Sequence, residues 1–546
     1  MSITHDVLNQ PPPLEGYNLF ETNTVLREAL MREGAEWFEP QARKIGEIAG
    51  GEPLRWGAEA NENPPVLRTH DRFGHRIDEV DFHPSWHKLM SLAVASGVHS
   101  LPWREPRPGA HVARASLMIM MSAVEAGSGC PISMTYAGVP ALRAQPNLAE
   151  QWEPPLTSLT YDPRLIPVDQ KAGALCGMAM TEKQGGSDVR ANSTRAEPAA
   201  AGGPGAEYLL TGHKWFCSAP MCDAFLVLAN APAGLSCFLL PRVLPDGTRN
   251  RFFIQRLKDK LGNRSNASSE VEFDRTTAFL VGEEGRGVRT IIEMVNYTRL
   301  DCVLGSTGLM RAAVAQATHH TAYRSAFGKK LIDQPLMQNV LADLCIESEA
   351  ATVTAMRLAR ATDEAQNDEA NAYFKRLATA VCKYWICKVA PWQVGEALEC
   401  LGGNGYVEES GMPRLYRETP LNSIWEGSGN VNCLDVLRAM QRTPESVDAF
   451  RTELATTEGA DASLDRYVGD LWNELSTIDE IESRARRIVE MMAIALQASL
   501  LIRNAPAQVT EAFLGSRVVG NHGRAYGTLP AGFDVAGIVE RHRPKF

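Results

Sequence analysis

Residues 422–430 read NSIWEGSGN. One glutamate, Glu426, stands between a tryptophan and a Gly-Ser-Gly turn, just ahead of the helical pattern VNCLDVLRAM. Two readings compete. An acid near a helix start is favoured by the positive end of the helix dipole and needs no chemistry to explain it. The same carboxylate, desolvated beside an aromatic ring, has what a general base needs.

The chain on either side supplies the context. Residues 286–440 carry long helical periods, among them QNVLADLCIESEAATVTAMRLARATDEA and LATAVCKYWICKVAPWQVGEALE, which read as a helix bundle. Between 171 and 285 the texture changes to short apolar or alternating runs, YLLTGHKWF, AFLVLAN, LSCFLLPR, RFFIQRL and SSEVEFD, separated by turn residues, and this reads as a compact β domain. The segment EPAAAGGPGAE inside it reads as a hairpin loop. Residues 1–170 are mostly helical in period, with proline-rich connectors such as QPPPLEG and NENPPVL. Residues 441–546 open with the acidic connector EGADASLDRYVGD and continue as an additional helical module. The order is α, β, α, α, an α+β protein.

A chain of 546 residues with 44% hydrophobic and 22% charged side chains is a multidomain globule. Its net charge of -10 gives no general attraction for nucleic acid, so a polyanion site has to be a local basic patch. Eleven scattered cysteines fit reduced thiols in the cytoplasm and no metal site. The apolar run MMAIALQASLLI is too short to span a bilayer, and no membrane insertion is expected.

Four further motifs are weak one by one. MTEKQGGSDV offers Thr181 and Ser187 around paired glycines, where backbone amides approach a flat ligand closely; a surface turn explains it equally well. In GHKWFCSAPMCD, Phe216 and Ser218 offer a ring and a hydroxyl, although an aromatic strand is more often plain core. In YRSAFGKKL an arginine precedes Phe327-Gly328, which a helix C-cap accounts for. ECLGGNGY closes a helix on glycines that permit a left-handed turn or close approach to phosphate.

Taken in order with NSIWEGSGN, the set resembles the acyl-CoA dehydrogenase family, with its helical N-terminal domain, central β-barrel and C-terminal helix bundle. NQPPPL, NPPVL, FHPSWH, CPISMT, LKDKLGNRSNAS and PRLYRE extend the resemblance to the AidB-type branch, the alkylation-response flavoproteins, over nearly the whole chain. The resemblance implies FAD as cofactor. Met180, Thr181, Gly186, Ser187, Phe216 and Ser218 match positions that grip the flavin. Arg324, Phe327 and Gln338 match positions on its dinucleotide side, as do Gly402 and Gly403, which meet it across a subunit boundary. Trp425, Gly427, Ser428 and Asn430 match cofactor positions around the base. A homotetramer is implied. Pro335 and Glu399 stand where the family has glutamines, and EGS replaces EGT.

The reaction implied is α,β-dehydrogenation of an acyl-CoA thioester with Glu426 as base. A second family position for the base, on an earlier helix, is Thr298 here and cannot serve. Nitroalkane oxidases share the fold but use aspartate at the base position, which demotes that reading. Asn296 and the loop NRSNAS depart from the usual acyl-CoA contacts. The last module carries the competing expectation. Residues 441–482 hold three arginines against eleven acids, and 483–546 hold nine basic residues against four acids. By resemblance to the branch, Arg484, Arg486, Arg487, Arg503, Arg517 and Arg524, with Arg438, are expected to bind double-stranded DNA. The alternative function is a DNA-binding protective flavoprotein with little or no dehydrogenase activity.

Overall fold

The computed structural model describes residues 4–477 and 479–545. The chain forms two compact units, one of residues up to 52, 108–123 and 302 onward, the other of residues 53–107 and 124–301.

The first elements are α1 (Thr24–Arg32), α2 (Glu39–Ala49), α3 (Glu52–Glu62), β1 (Val66–His70), β2 (Arg76–Asp81), α4 (Pro84–Ala95), α5 (Leu101–Arg104), α6 (Ala110–Val124), α7 (Gly129–Leu142) and α8 (Pro146–Leu156). The antiparallel β1–β2 hairpin departs from the expectation of helices and loops alone. Its tip is closed by Asp71, whose carboxylate accepts the amides of Phe73 (2.8 Å) and His75 (2.9 Å). Strands of five and six residues behind two prolines give too short a run for alternation to stand out.

In the second unit, β3 (Cys176–Ala179), β4 (Arg195–Pro198), β5 (Glu207–Ser218), β6 (Ala224–Ala231), β7 (Gly234–Pro241), β8 (Phe252–Leu257) and β9 (Ser268–Val281) form one sheet. Pairing runs β6-β4-β5-β9-β7 and returns from β7 to β6, so the sheet closes into the expected barrel, with β3 and β8 added outside the ring. Closure leaves no long open edge within the ring. Phe225, Phe238, Phe252 and Tyr208 fill the interior, each fully buried. The β4–β5 connection contains the alanine-glycine run, as the sequence suggests.

α9 (Gly287–Tyr323) starts in the barrel unit and ends in the helical one. There follow a two-residue-strand hairpin, β10 (Ser325–Ala326) and β11 (Lys329–Lys330), then α10 (Pro335–Glu364), α11 (Glu369–Glu399), α12 (Met412–Asn422), α13 (Gly429–Arg442), α14 (Glu445–Ala455), α15 (Ala462–Ser476), α16 (Ile481–Asn504), α17 (Ala507–Phe513) and α18 (Val535–His542). α10 is buried around almost its whole girth from Leu341 to Leu358, which makes it the middle of the bundle, with α1, α11, α16 and α18 against it. Pro335 occupies the first position of α10, where its missing amide is harmless, and this gives the departure from the family glutamine a structural cause. The supposed acidic connector is mostly helix: Asp461 caps α15 through the amides of Ser463 (2.8 Å) and Leu464 (3.0 Å). Only Leu464 and Leu471 of α15 are buried, too thin an apolar stripe to read as a helix.

The C-terminal segment is tied to α10 by charge. Arg517 meets Asp343 (2.5 Å) and Glu347 (3.1 Å), while Arg541 and His542 meet Glu349 at 2.9 and 3.0 Å. All eleven cysteines are buried and free, and among the described residues no helix is long and apolar enough to cross a membrane.

Candidate active site

Ser428, not Glu426, is the N-cap of α13, and the first turn of that helix holds no acid. Glu426 lies two residues before the cap, in a turn that follows α12. Its backbone is left-handed, with φ 57°, and Gly427 follows at φ 98°. A glutamate gains nothing locally from that conformation, which costs an L-residue about 1–2 kcal/mol; such strain persists where the surroundings impose it and gathers at functional sites. Simple helix capping therefore does not account for this residue.

The surroundings are specific. Lys383 of α11 is 1% exposed, and its ammonium donates to the carbonyl of Trp425 (2.8 Å) and to that of Gly427, the two residues flanking Glu426. The Asn432 amide donates to the carbonyls of Gly427 (2.5 Å) and Ser428 (3.0 Å). The indole of Trp425 donates to Asn422 (2.9 Å), whose own amide donates to the Ser306 hydroxyl on α9 (3.2 Å). Both Trp425 and Glu426 are half-buried. The turn is thus pinned from three helices. Lys383 escaped the sequence reading; its signal is a lone lysine on the inward face of the apolar run VCKYWICKV.

Elsewhere in the helical unit, the stretch around Phe327 is not a helix cap. α9 ends at Tyr323, and Phe327-Gly328, with φ 53° and 81°, form the two-residue loop of the β10–β11 hairpin. The Phe327 side chain is 99% exposed. Arg324 is half-buried and donates to the carbonyl of Asn9 (2.6 Å). Gln338 lies in the first turn of α10 and is partly exposed. Gly402 and Gly403 are exposed, and a side chain added at either would meet nothing within 4 Å. The surface there is open, Gly402 is left-handed at φ 59°, and Glu399 is exposed too.

In the barrel unit, the loop after β3 carries Met180, Thr181, Gly186 and Ser187. A Cβ on Gly186 would lie 2.5 Å from the Thr181 hydroxyl, so any other residue there would push the Thr181 side chain aside. Glu182 anchors the loop. Its carboxylate accepts from Lys214 Nζ (2.8 Å), the Ser193 amide (2.6 Å), the Thr194 amide (3.1 Å) and Gln184 (2.7 Å), and neither charged side chain is exposed. Burial opposes the charge on Glu182, but Lys214 and these donors override it and hold the carboxyl below its usual range. Burial also pulls Lys214 down, to about 8. Phe216 is 50% exposed, and the Ser218 hydroxyl is 3.2 Å from that of Ser268. Lys258 sits 3.3 Å from the Trp215 ring centroid and 4.5 Å from that of Phe216. The Trp215 amide donates to the Thr181 carbonyl (2.8 Å), which brings the glycine loop beside the strand that carries Phe216 and Ser218.

The arginines divide. Arg484 is engaged by Glu474 (2.6 Å) and the Asp479 carbonyl, Arg503 by Glu453 (2.6 Å), and Arg517 by the buried acids of α10. Arg438, Arg487 and Arg524 are exposed, with Arg438 3.6 Å from Asp435 and Arg487 3.8 Å from Glu474. Arg486 is exposed and donates to the Asn430 side chain (2.8 Å), so it touches the first turn of α13.

Three family descriptions match the chain: Adaptive response protein AidB N-terminal domain over residues 9–163, acyl-CoA dehydrogenase middle domain over 177–276, and acyl-CoA dehydrogenase C-terminal domain over 285–441. The chain is 49% identical to AidB of Escherichia coli (strain K12) over 475 residues, 86% of this chain and 87% of that protein. It is 30% identical to acyl-CoA dehydrogenase family member 11 of Caenorhabditis elegans, over 85% of this chain and 79% of that protein. Among solved structures, Caenorhabditis elegans ACDH-11 in complex with C11-CoA matches with a TM-score of 0.85 at 26% identity, covering 100% of this chain and 94% of that one. The acyl-CoA dehydrogenase complexed with FAD from Bacillus anthracis shares the fold at a TM-score of 0.64 and 18% identity, over 84% and 82%. The chain belongs to the acyl-CoA dehydrogenase family, in its AidB-type branch, and that family is one of FAD-dependent oxidoreductases.

Proposed function

We propose that the protein oxidises an acyl-CoA thioester between its α and β carbons, with Glu426 as the base. The observation that carries this reading is the turn itself: a glutamate held in left-handed backbone, outside the helix it precedes, by a buried lysine and an asparagine that bond to the carbonyls around it. FAD, when bound, supplies the hydride acceptor. The Glu426 carboxylate takes the α proton, and the rigid turn limits how far it has to reorganise to do so. Met180, Thr181, Gly186, Ser187, Phe216 and Ser218 are proposed to hold the flavin ring, and Arg324, Phe327, Gln338, Gly402 and Gly403 the dinucleotide. Trp425, Gly427, Ser428 and Asn430 frame the base.

The test is anaerobic mixing of the flavin-loaded protein with straight and branched acyl-CoA thioesters, including an undecanoyl-CoA suggested by the ligand of the worm neighbour. Bleaching of the flavin absorbance is expected, and Glu426→Gln is expected to slow it roughly 1,000-fold, to a small residual rate. A wild-type protein that bleaches with none of them ends the reading.

A second reading has its own support. Arg438, Arg486, Arg487 and Arg524 are exposed, in a chain whose net charge is otherwise negative, and exposed arginines that share one face bind duplex DNA through phosphates with little sequence preference. The alkylation response of the branch, and work in a reducing cytoplasm, go with that reading. Replacing Arg438, Arg486 and Arg487 by Ala is expected to flatten the salt dependence of DNA affinity by about 0.9 in log-log slope for each arginine–phosphate pair removed, with flavin retained. Self-association, to a tetramer, is supported by exposed apolar side chains on the helical unit, Phe327, Leu336 and Tyr406 among them at 83% or more. Light scattering on the holoprotein tests it.

A further inference from the structure

Lys383 is an unusual place for a positive charge. It lies on α11 among Cys382, Tyr384, Ile386 and Cys387, all buried, and its own side chain is fully covered. A buried ammonium normally sits against a carboxylate, because desolvating a lone charge is costly. Among the described residues no carboxylate lies within ion-pair range of Lys383. Its hydrogen-bond acceptors are two backbone carbonyls, those of Trp425 and Gly427. These are the carbonyls on either side of one residue. Bringing both onto a single ammonium bends the chain sharply at the residue between them, and that residue, Glu426, has the left-handed φ of 57°. Asn432 reinforces the bend from α13 by donating to the Gly427 carbonyl from a second direction (2.5 Å).

We propose that Lys383 is the positioning residue of the base: by clamping the carbonyls of Trp425 and Gly427 it imposes the left-handed turn at Glu426 and so fixes where the carboxylate points. The proposal rests on the reading of Glu426 as the base. The lysine needs no contact with substrate or flavin for this role. A methionine of similar length would fill the same space but could not gather the two carbonyls, which would then turn apart.

The experiment compares wild type, Lys383→Met, Glu426→Gln and the double variant as flavin-loaded proteins, with undecanoyl-CoA and isovaleryl-CoA as probes, and adds a crystal structure of Lys383→Met. Lys383→Met is expected to keep its flavin and its KM, to lose roughly 100-fold in the rate of flavin bleaching, and to show Glu426 outside the left-handed region. In the Glu426→Gln background the same change is expected to cost nothing further, because the lysine acts only through the glutamate. Lys383→Gln, which can hold one carbonyl, is expected to fall between Lys383→Met and wild type. A wild-type bleaching rate in Lys383→Met, an undiminished loss in the double variant, or an unchanged left-handed Glu426 in the crystal overturns the proposal. Failure of both Lys383 variants to give soluble, flavin-loaded protein would make the residue a folding determinant and overturn it as well. Should wild type bleach with neither probe, the acyl-CoA reading fails separately, and the crystal structure alone decides the role of Lys383.

Discussion

At the scale of single residues, the loop that carries Thr181 and Gly186 hangs on one buried ion pair. Lys214 and Glu182 are wholly covered, and the lysine also donates to the Leu228 carbonyl (2.8 Å) on β6. A pair of this kind is worth little over an apolar substitute, but breaking it strands a charge in the barrel wall. Lys214→Met is therefore expected to lower stability by about 3–5 kcal/mol, and the double change Lys214→Met, Glu182→Met to recover most of that loss. Denaturant midpoints of the three proteins check this; equal losses in the single and double variants would assign the effect to shape rather than charge. The candidate site was legible at this scale where the family pattern names a residue type, as for Glu426, Phe216 and Gly186. The residues that hold those positions, Glu182, Lys214 and Lys383, were not. Each works through a partner 32 to 44 positions away, and a separation of that size leaves no mark in local composition.

At the scale of elements, the β10–β11 hairpin presents Phe327 where stability would place asparagine or glycine. A phenylalanine at φ 53°, 99% exposed, strains the turn and packs against nothing among the described residues. Its use must lie in what covers it, the dinucleotide or a second subunit in the proposed reading. Phe327→Asn is expected to stabilise the apoprotein by about 1 kcal/mol, since Asn tolerates the left-handed region, while the protein loses its flavin more readily on dilution. Thermal midpoint and bound-flavin absorbance check the two halves; a flavin content that matches wild type would leave the exposed ring unexplained. Element type followed from the sequence wherever a segment buries a broad stripe. The strands of the barrel and the long helices α9, α10 and α11 announce themselves because most of their residues are apolar and regularly spaced. The β1–β2 hairpin and α15 did not, because each buries only one or two side chains, so the pattern in the sequence is faint.

At the scale of the whole helical unit, α18 is fastened by a titratable lock. His542 on α18 is fully buried, with Nε2 3.0 Å from Glu349 and Nδ1 2.8 Å from the Ile538 carbonyl. Arg541 bonds the same glutamate (2.9 Å) and reaches Glu28 on α1 (2.5 Å). Burial opposes the charge on His542, but the Cys345 sulfur and the Glu349 carboxylate favour it and lift the imidazole to about 10. Burial likewise opposes the charge on Glu349, and His542 and Arg541 override it, holding that carboxyl below its usual value. An imidazole in the unfolded chain loses its proton near pH 6.5. Because the folded value is the higher one, the stability His542 contributes is complete below about pH 6.5, shrinks as pH rises, and is gone above about 10. His542→Gln is thus expected to cost about 3–5 kcal/mol at pH 6, and the difference from wild type to close steadily between pH 7 and 10. Denaturation midpoints of the two proteins across that range measure it. A difference that stays constant with pH would mean that His542 is held as a neutral ring, bonded by shape and by Ile538 alone, and that Arg541 carries the electrostatic part of the lock.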